Sequence, residues 1–457
     1  MDNSAPDGLP LPRRYGAILT IALGIMISVL DGTIANVALP TIAVDLHTRP
    51  AEAIWVVNAY QIAIITSLLT LSFLGDIFGY RRIYQYGLVT FSITSVLCAA
   101  ASSLELLTAA RVLQGLGGAA LMSVNTALIR LIYPKKHLGR GVGINAFIVA
   151  VSAAAGPTVA AAILAVASWH WLFLINVPIG IVAWLLARHF LPDNLPRENH
   201  PRFDWQSAIM NALTFGLIIS TLSGYAQGQP LELVGAQFVV LVVVGVLFVR
   251  RQLRLPVPLL PIDLLRIPIF SLSIASSVCS FTAQMLALVA LPFYLQQALG
   301  RSEVETGLLL TPWPLATMVI APLAGRLIER FHAGLLGAAG LLAFSIGLLL
   351  LALLPANPST LNIILPMALC GAGFGLFQSP NNHTIISSAP AGRSGGASGM
   401  LGTARLLGQS CGAALVALIF NLVHQHPTQF SLFLAAAFAI TAALVSGLRL
   451  TQPRASL

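Results

Sequence analysis

The chain has 457 residues, of which 57% are hydrophobic and only 9% charged, whereas an ordinary soluble domain carries about 25% charged residues. The net charge of +9 would suggest nucleic acid in a soluble protein, but the basic residues are scattered in pairs and triplets between apolar runs rather than gathered on one face. A water-soluble enzyme and a nucleic-acid-binding protein are therefore excluded, and a polytopic membrane protein remains.

The polar tail ending at Arg13 and Arg14 is followed by an apolar run with no convincing small-residue cleavage site, so the first span is expected to be retained. A helix needs roughly 20 apolar residues to cross the hydrocarbon core. Reading the runs against Gly, Pro and charge predicts spans near 15–39, 53–74, 83–103, 106–128, 141–164, 172–192, 206–226, 233–250, 270–295, 305–325, 335–355, 361–384, 396–421 and 429–449. That makes fourteen.

Loop charges test this count, because a missed or invented span would invert every later loop. With a cytoplasmic N-terminus, 20 of the 24 basic residues fall in inner loops and tails: Arg13, Arg14, Arg81, Arg82, Arg130, Lys135, Lys136, Arg140, Arg188, Arg197, Arg202, Arg250, Arg251, Arg254, Arg266, Arg326, Arg330, Arg393, Arg449 and Arg454. Arg49 and Arg301 lie outside, while Arg111 and Arg405 lie within spans. A multi-pass inner-membrane protein with both termini cytoplasmic is expected.

The loop after span two reads LSFLGDIFGYRR and the loop after span ten PLAGRLIERFH, each with a Gly, then an acid, then Arg. Asp76 and Glu329 lie about 250 residues apart, roughly two helices more than a six-helix repeat of about 200 residues. The expected organisation is a six-helix bundle over 1–193, a linker with two inserted helices over 194–268, and a second six-helix bundle over 269–457.

Asp31 is the one acidic residue well inside a predicted span, where a carboxylate costs about 2.5–3.5 kcal/mol even on the lenient insertion scale. It suits a proton-coupling site; the plainer alternative is polar glue between helices. In span four, Arg111, Gln114, Gly118, Leu121 and Asn125 recur on one helical face, which must meet a cavity or another helix. Arg111 could tune a nearby carboxylate, or could snorkel or bond backbone carbonyls. Gly156-Pro157 in span five offers a pivot or seal, or a simple packing kink.

Asn36, Trp55, Asn58, Gln61, Gln114, Asn125, Asn145, Gln284 and Gln378 are candidates to line a substrate cavity. Trp55 and Tyr60 are also candidate interfacial anchors, and Arg405 is expected to snorkel. The four cysteines, Cys98, Cys279, Cys370 and Cys411, lie in apolar runs without metal or redox spacing, so packing is their expected role. No phosphate loop, metal-spaced His cluster or nucleophile elbow appears, so neither a metal, a cofactor nor an enzymatic activity is expected.

These motifs, in this order along nearly the whole chain, resemble the major facilitator superfamily and specifically its fourteen-helix drug:proton antiporter branch. LDGTIANVALP carries Asp31, Thr33, Asn36 and Pro40 of the span-one signature. LSFLGDIFGYRR matches the loop motif through Asp76, Gly79, Arg81 and Arg82, with Ser72 in place of the first glycine. LTAARVLQGLGGAA matches the span-four motif through Arg111, Gln114 and Gly115. SAAAGPTVAAA matches the antiporter motif through Gly156 and Pro157, with Ser152, Ala160 and Ala161 where glycines are usual. SWHWLFLINVPIG follows the branch through Trp169, Trp171, Phe173, Asn176 and Pro178, with His170 where arginine is common.

The resemblance implies an all-α membrane protein with two rocking bundles and two inserted helices. It assigns Asp31 and Arg111 to proton and cation handling, Asp76, Gly79, Arg81 and Arg82 to a cytoplasmic latch, and Gly156-Pro157 to sealing. The expected activity is proton-coupled export of small lipophilic or cationic compounds by a monomer whose partners are substrate, protons and the bilayer. A proton-linked carrier of a sugar, amino acid or siderophore, and a transport-inactive membrane sensor or assembly partner, are the alternatives.

Overall fold

The computed structural model describes residues 8–134, 138–192, 204–226, 228–255, 258–328, 330–355, 357–390 and 394–451. Lys135, Lys136, Arg197, Arg202, Glu329, Arg393 and Arg454, the side chain of Arg140 and most of the linker after residue 193 lie outside the described residues.

The described residues form fourteen long helices and no strand: α1 Leu11–Asp45, α2 Pro50–Phe78, α3 Tyr80–Ala99, α4 Leu104–Ile132, α5 Leu138–Leu164, α6 His170–Phe190, α7 Trp205–Ala226, α8 Leu231–Gln252, α9 Pro268–Ala298, α10 Glu303–Leu327, α11 Ala333–Ala352, α12 Thr360–Ser387, α13 Ser394–Leu422 and α14 Pro427–Leu448. Thirteen of them are long and apolar enough to span a membrane on their own. The exception is α3, whose first two turns carry Arg81, Arg82, Tyr84, Gln85 and Tyr86. It nevertheless packs along α4 and α6 over its length, and without it every later helix would be inverted.

Helix ends follow local chemistry. Ser103 caps α4 through a bond from the Leu106 amide (3.3 Å), which stops α3 at Ala99, short of the predicted residue 103. Gly79, at φ 102°, makes the sharp corner between α2 and α3 that an L-residue would resist.

The helices pack in two groups. Within the first, α1 lies on α5 and α6, and α4 on α2 and α3; within the second, α9 lies on α13 and α14, and α12 on α10 and α11. The face where α1 begins is called here the N face: Arg14 bonds the Leu9 carbonyl, and Arg81 reaches the Arg188 carbonyl (2.5 Å) at the end of α6. On the opposite, far face, Trp169 donates to Asp45 (2.8 Å).

The two groups meet near the far face, where Thr41 donates to Glu303 (2.6 Å) and Gln296 to the Val37 carbonyl (3.2 Å). They also meet near the N face, where Gly402 and Gly399 lie against Leu68 and Leu69. Each of two large apolar clusters contains residues of both groups, so the seam between them is packed rather than gaping.

The two inserted helices are placed differently. α8 does present Phe238, Val239, Val242, Val243 and Val246 outward, as a lipid-facing helix should. α7, however, packs on α2 and on α13 at once and ties itself to α2 by a bond from Asn211 to the Thr66 carbonyl (3.1 Å). It therefore covers the α2–α13 seam from the side. Arg251 of α8 pairs with Asp204 at the start of α7 (2.8 Å), which closes the hairpin.

Candidate functional site

The most concentrated polar chemistry lies inside the first group, on α1, α3, α4 and α6. Asp31 is 2% exposed and Arg111 fully buried, and the two form an ion pair through Arg111 Nη1 and Asp31 Oδ2. The other carboxylate oxygen accepts from Gln114 Nε2 (3.1 Å) and Asn176 Nδ2 (2.9 Å). Arg111 also donates to the Val56 carbonyl (2.9 Å) and to Gln114 Oε1 (2.5 Å), and Gln114 passes the network on to Ser95 (2.8 Å).

Helical spacing explains the convergence: Arg111 and Gln114 stand one turn apart on α4 and so address the same carboxylate. The Tyr60 ring lies 4.2 Å below the guanidinium and the Phe173 ring 5.6 Å away, which shields the pair from other polar groups. Charge, hydrogen bonds and aromatic faces together satisfy what would otherwise be two prohibitively buried ions.

Several sequence expectations are thereby corrected. Of the readings open for Arg111, snorkelling falls away: it meets the Asp31 carboxylate and also bonds the Val56 carbonyl. Tyr60 is not an interfacial anchor: it is 2% exposed, lies under Arg111 and donates to the Ser28 carbonyl (3.3 Å). Gln114, a cavity candidate, hydrogen-bonds both members of the ion pair. Asn176 is a site residue that the sequence reading placed only in a branch motif, and Ser95 was missed altogether; neither carries a charge that would mark it in an apolar run.

The other candidates are dispersed. Asn125 donates to Asn145 (2.8 Å) between α4 and α5. Asn36, Asn58 and Gln61 are buried on α1 and α2, and each has at least one side-chain polar atom without a hydrogen-bond partner. Trp55, Gln284 and Gln378 are half-buried on α2, α9 and α12, with no hydrogen bond joining them to the ion pair.

The two remaining motifs sit at contacts. A Cβ built on Gly156 would come within 2.0 Å of Thr33 Oγ1, so only glycine lets α5 approach α1 this closely. One residue on, the Pro157 carbonyl faces Gly307 of α10, where a Cβ would lie 2.5 Å from that oxygen. Thr158 and Thr311 add a hydroxyl bond (2.9 Å) across the same α5–α10 contact. In the loop motif, Tyr80 donates to Asp76.

In the second group, two arginines depart from expectation. Arg449 is 1% exposed, where an inner-tail arginine had been expected in water. It donates to Ser273 Oγ (3.1 Å), Asn381 Oδ1 (2.7 Å), the Ser446 carbonyl (3.3 Å) and Ser446 Oγ. Arg405 does not snorkel to the interface; its guanidinium lies 5.9 Å from the Phe281 ring, halfway along α9.

A sequence model of the Major Facilitator Superfamily matches residues 21–413. The chain is 73% identical over 448 residues to the transporter YebQ of Escherichia coli (strain K12), itself uncharacterized, covering 98% of each chain. It is 29% identical over 410 residues to the riboflavin transporter RibZ of Clostridioides difficile (strain 630), covering 90% of this chain and 89% of that one. Against the multidrug efflux pump LfrA of Mycolicibacterium smegmatis it is 31% identical over 414 residues, covering 90% and 82%.

Proposed function

The chain belongs to the Major Facilitator Superfamily, and from that premise we propose that it is a proton-coupled antiporter exporting small lipophilic compounds across the inner membrane. The observation that carries this reading is the buried Asp31–Arg111 pair, an ionisable couple enclosed in the first group beside the α5–α10 contact. The relation to a multidrug efflux pump supports the direction of transport.

In the proposed cycle the N face is cytoplasmic, and the groups 1–193 and 269–457 rock about the seam. Gly156-Pro157 against Gly307 seals the outer side, while the Asp76 motif latches the inner one. Protonation of Asp31 from outside removes the charge that holds Arg111, and frees α1 to shift against α4 and α6. Deprotonation toward the cytoplasm restores the pair. One inward elementary charge across 100 mV releases about 2.3 kcal/mol, enough for more than a tenfold substrate gradient under tight coupling.

The cationic part of the substrate expectation finds less support than the lipophilic part. Asp31 was the carboxylate meant to meet a cation, and it is already occupied by Arg111, Gln114 and Asn176. The relation to a riboflavin transporter keeps proton-linked transport of a metabolite as a second reading.

The test uses purified protein in liposomes with an imposed pH gradient, recording substrate-triggered proton flux across dyes, biocides and metabolites. Flux that vanishes in Asp31→Asn is expected. Undiminished proton-driven transport by Asp31→Asn would remove Asp31 from the coupling step.

A further inference from the structure

Arg405 stands 11 residues into α13, about 16 Å along a helix that crosses a hydrocarbon core of about 30 Å. Arg405 is half-buried; its Nε is fully enclosed without a hydrogen-bond partner, and no ion pair to its guanidinium is found among the described residues. A guanidinium at this depth is costly unless something complements it. Asp31 is the one carboxylate deep in a span among the described residues, and Arg111 already neutralises it.

The direction of Arg405 follows from its neighbours on α13. Gly408 and Gly412 press on α9 at Val278, Phe281 and Thr282, while Gly399 and Gly402 meet Leu69 and Leu68 of α2. At about 100° per residue, Arg405 falls between those two stripes. It is therefore aimed between α9 and α2, two of the helices on which α13 packs at the seam. Asn58 and Gln61 lie on the same stripe of α2 as Leu68 and Leu69, and both keep unpartnered amide atoms. Phe281 supplies an aromatic surface beside the charge.

A second observation points the same way. At the far face, where α13 ends, a cavity of about 480 Å³ is lined by Arg49, Tyr294, His424 and His426 together with apolar and amide side chains, and no lining residue is acidic. Arg49 is itself paired with Glu52 (2.6 Å). Neither the midplane nor the rim offers a free carboxylate to a cation.

We propose that Arg405 is the anion-binding residue of the substrate site, and that the exported class is an amphiphilic organic anion. The carboxylate or a comparable oxyanion seats on the guanidinium, the apolar body against Phe281 and the α2 stripe, and polar substituents on Asn58 and Gln61. A planar fork of donors suits such a head group. This deepens the export reading and rests on it for direction, but the binding step can be tested alone.

The experiment measures equilibrium binding by the full chain in detergent, using a panel of naphthalene and biphenyl carboxylates, sulfonates and phosphates, with the methyl ester and the primary amine of each skeleton as comparators. The acids are expected to bind and to raise the melting temperature, and the amines are not. Arg405→Gln should weaken the best acid at least about tenfold while leaving the ester unchanged, and Arg405→Lys should restore part of the loss. Failure of every acid to bind, preference for the amines, or equal affinity of wild type and Arg405→Gln would each overturn the proposal. Binding without proton-driven transport of the same acid in liposomes would leave the site standing and sink the export reading instead.

Discussion

The two groups of helices each bury arginine, and they treat it in opposite ways. In the first, Arg111 meets a carboxylate, two amides and an aromatic face, so every charge is answered within the protein. In the second, among the described residues, Arg449 has only neutral oxygens, and Arg405 has only the Phe281 ring. A closed ion pair can store and release a proton without a ligand. An unanswered guanidinium at the seam is complete only when something else arrives. On the reading proposed above, the difference separates coupling from recognition along the chain.

The sharpest way to break this contrast is to remove each arginine. Arg111→Gln leaves Asp31 buried without a counter-charge and should cost about 3–5 kcal/mol, read as a large fall in thermal unfolding temperature in detergent, together with loss of proton-driven transport. Adding Asp31→Asn to it should recover part of that stability. Arg405→Gln removes an unpaired charge and should leave the melting temperature equal or higher. Equal destabilisation by both single variants would abolish the distinction.

A smaller effect tests the contact that joins the two groups. Gly307→Val would push a side chain into the Pro157 carbonyl and the Ala161 methyl, 2.5 and 2.7 Å from the built Cβ. The expected cost is about 1–3 kcal/mol of overpacking, with a faster passive proton leak across liposomes as the functional readout. An unaltered leak would mean that the seal lies elsewhere.

Asn211→Ala removes the bond that holds α7 on α2 and should cost about 0.5–1.5 kcal/mol, visible as faster proteolysis or hydrogen exchange in the inserted pair. The smallest effect is at Asp204. Burial raises its carboxyl, but hydrogen bonds from Arg251 and Ser207 outweigh this and hold it below the ordinary carboxylate value. Its folded state favours the charged form, so the contribution is present above the unfolded value of about 3.9 and disappears as pH falls through the lower folded one. On a partly exposed pair this amounts to no more than about 1 kcal/mol, and Asp204→Asn should flatten that acid dependence of melting.

Much of this was legible in the residues. Apolar runs of span length, broken by Gly, Pro and charge, placed fourteen helices to within a few residues, because lipid permits no other satisfied backbone. Even α3, too polar to be recognised by hydropathy alone, was required by the alternation of charged loops. Asp31 and Arg111 were legible for the opposite reason: each is a charge where none is tolerated without cause.

What the residues could not decide is who meets whom. Asp31 and Arg111 lie 80 positions apart, and Asn176 joins them from 145 positions away from Asp31; no periodicity carries that information. Snorkelling was a fair expectation for Arg405, since a long side chain reaches water if its helix face allows it. Tertiary packing decided otherwise, by turning that face toward α9 and α2. Local patterning determined which segments cross the membrane, because the bilayer acts on each segment separately. Which charges inside the bundle are paired was decided only when distant helices came into contact.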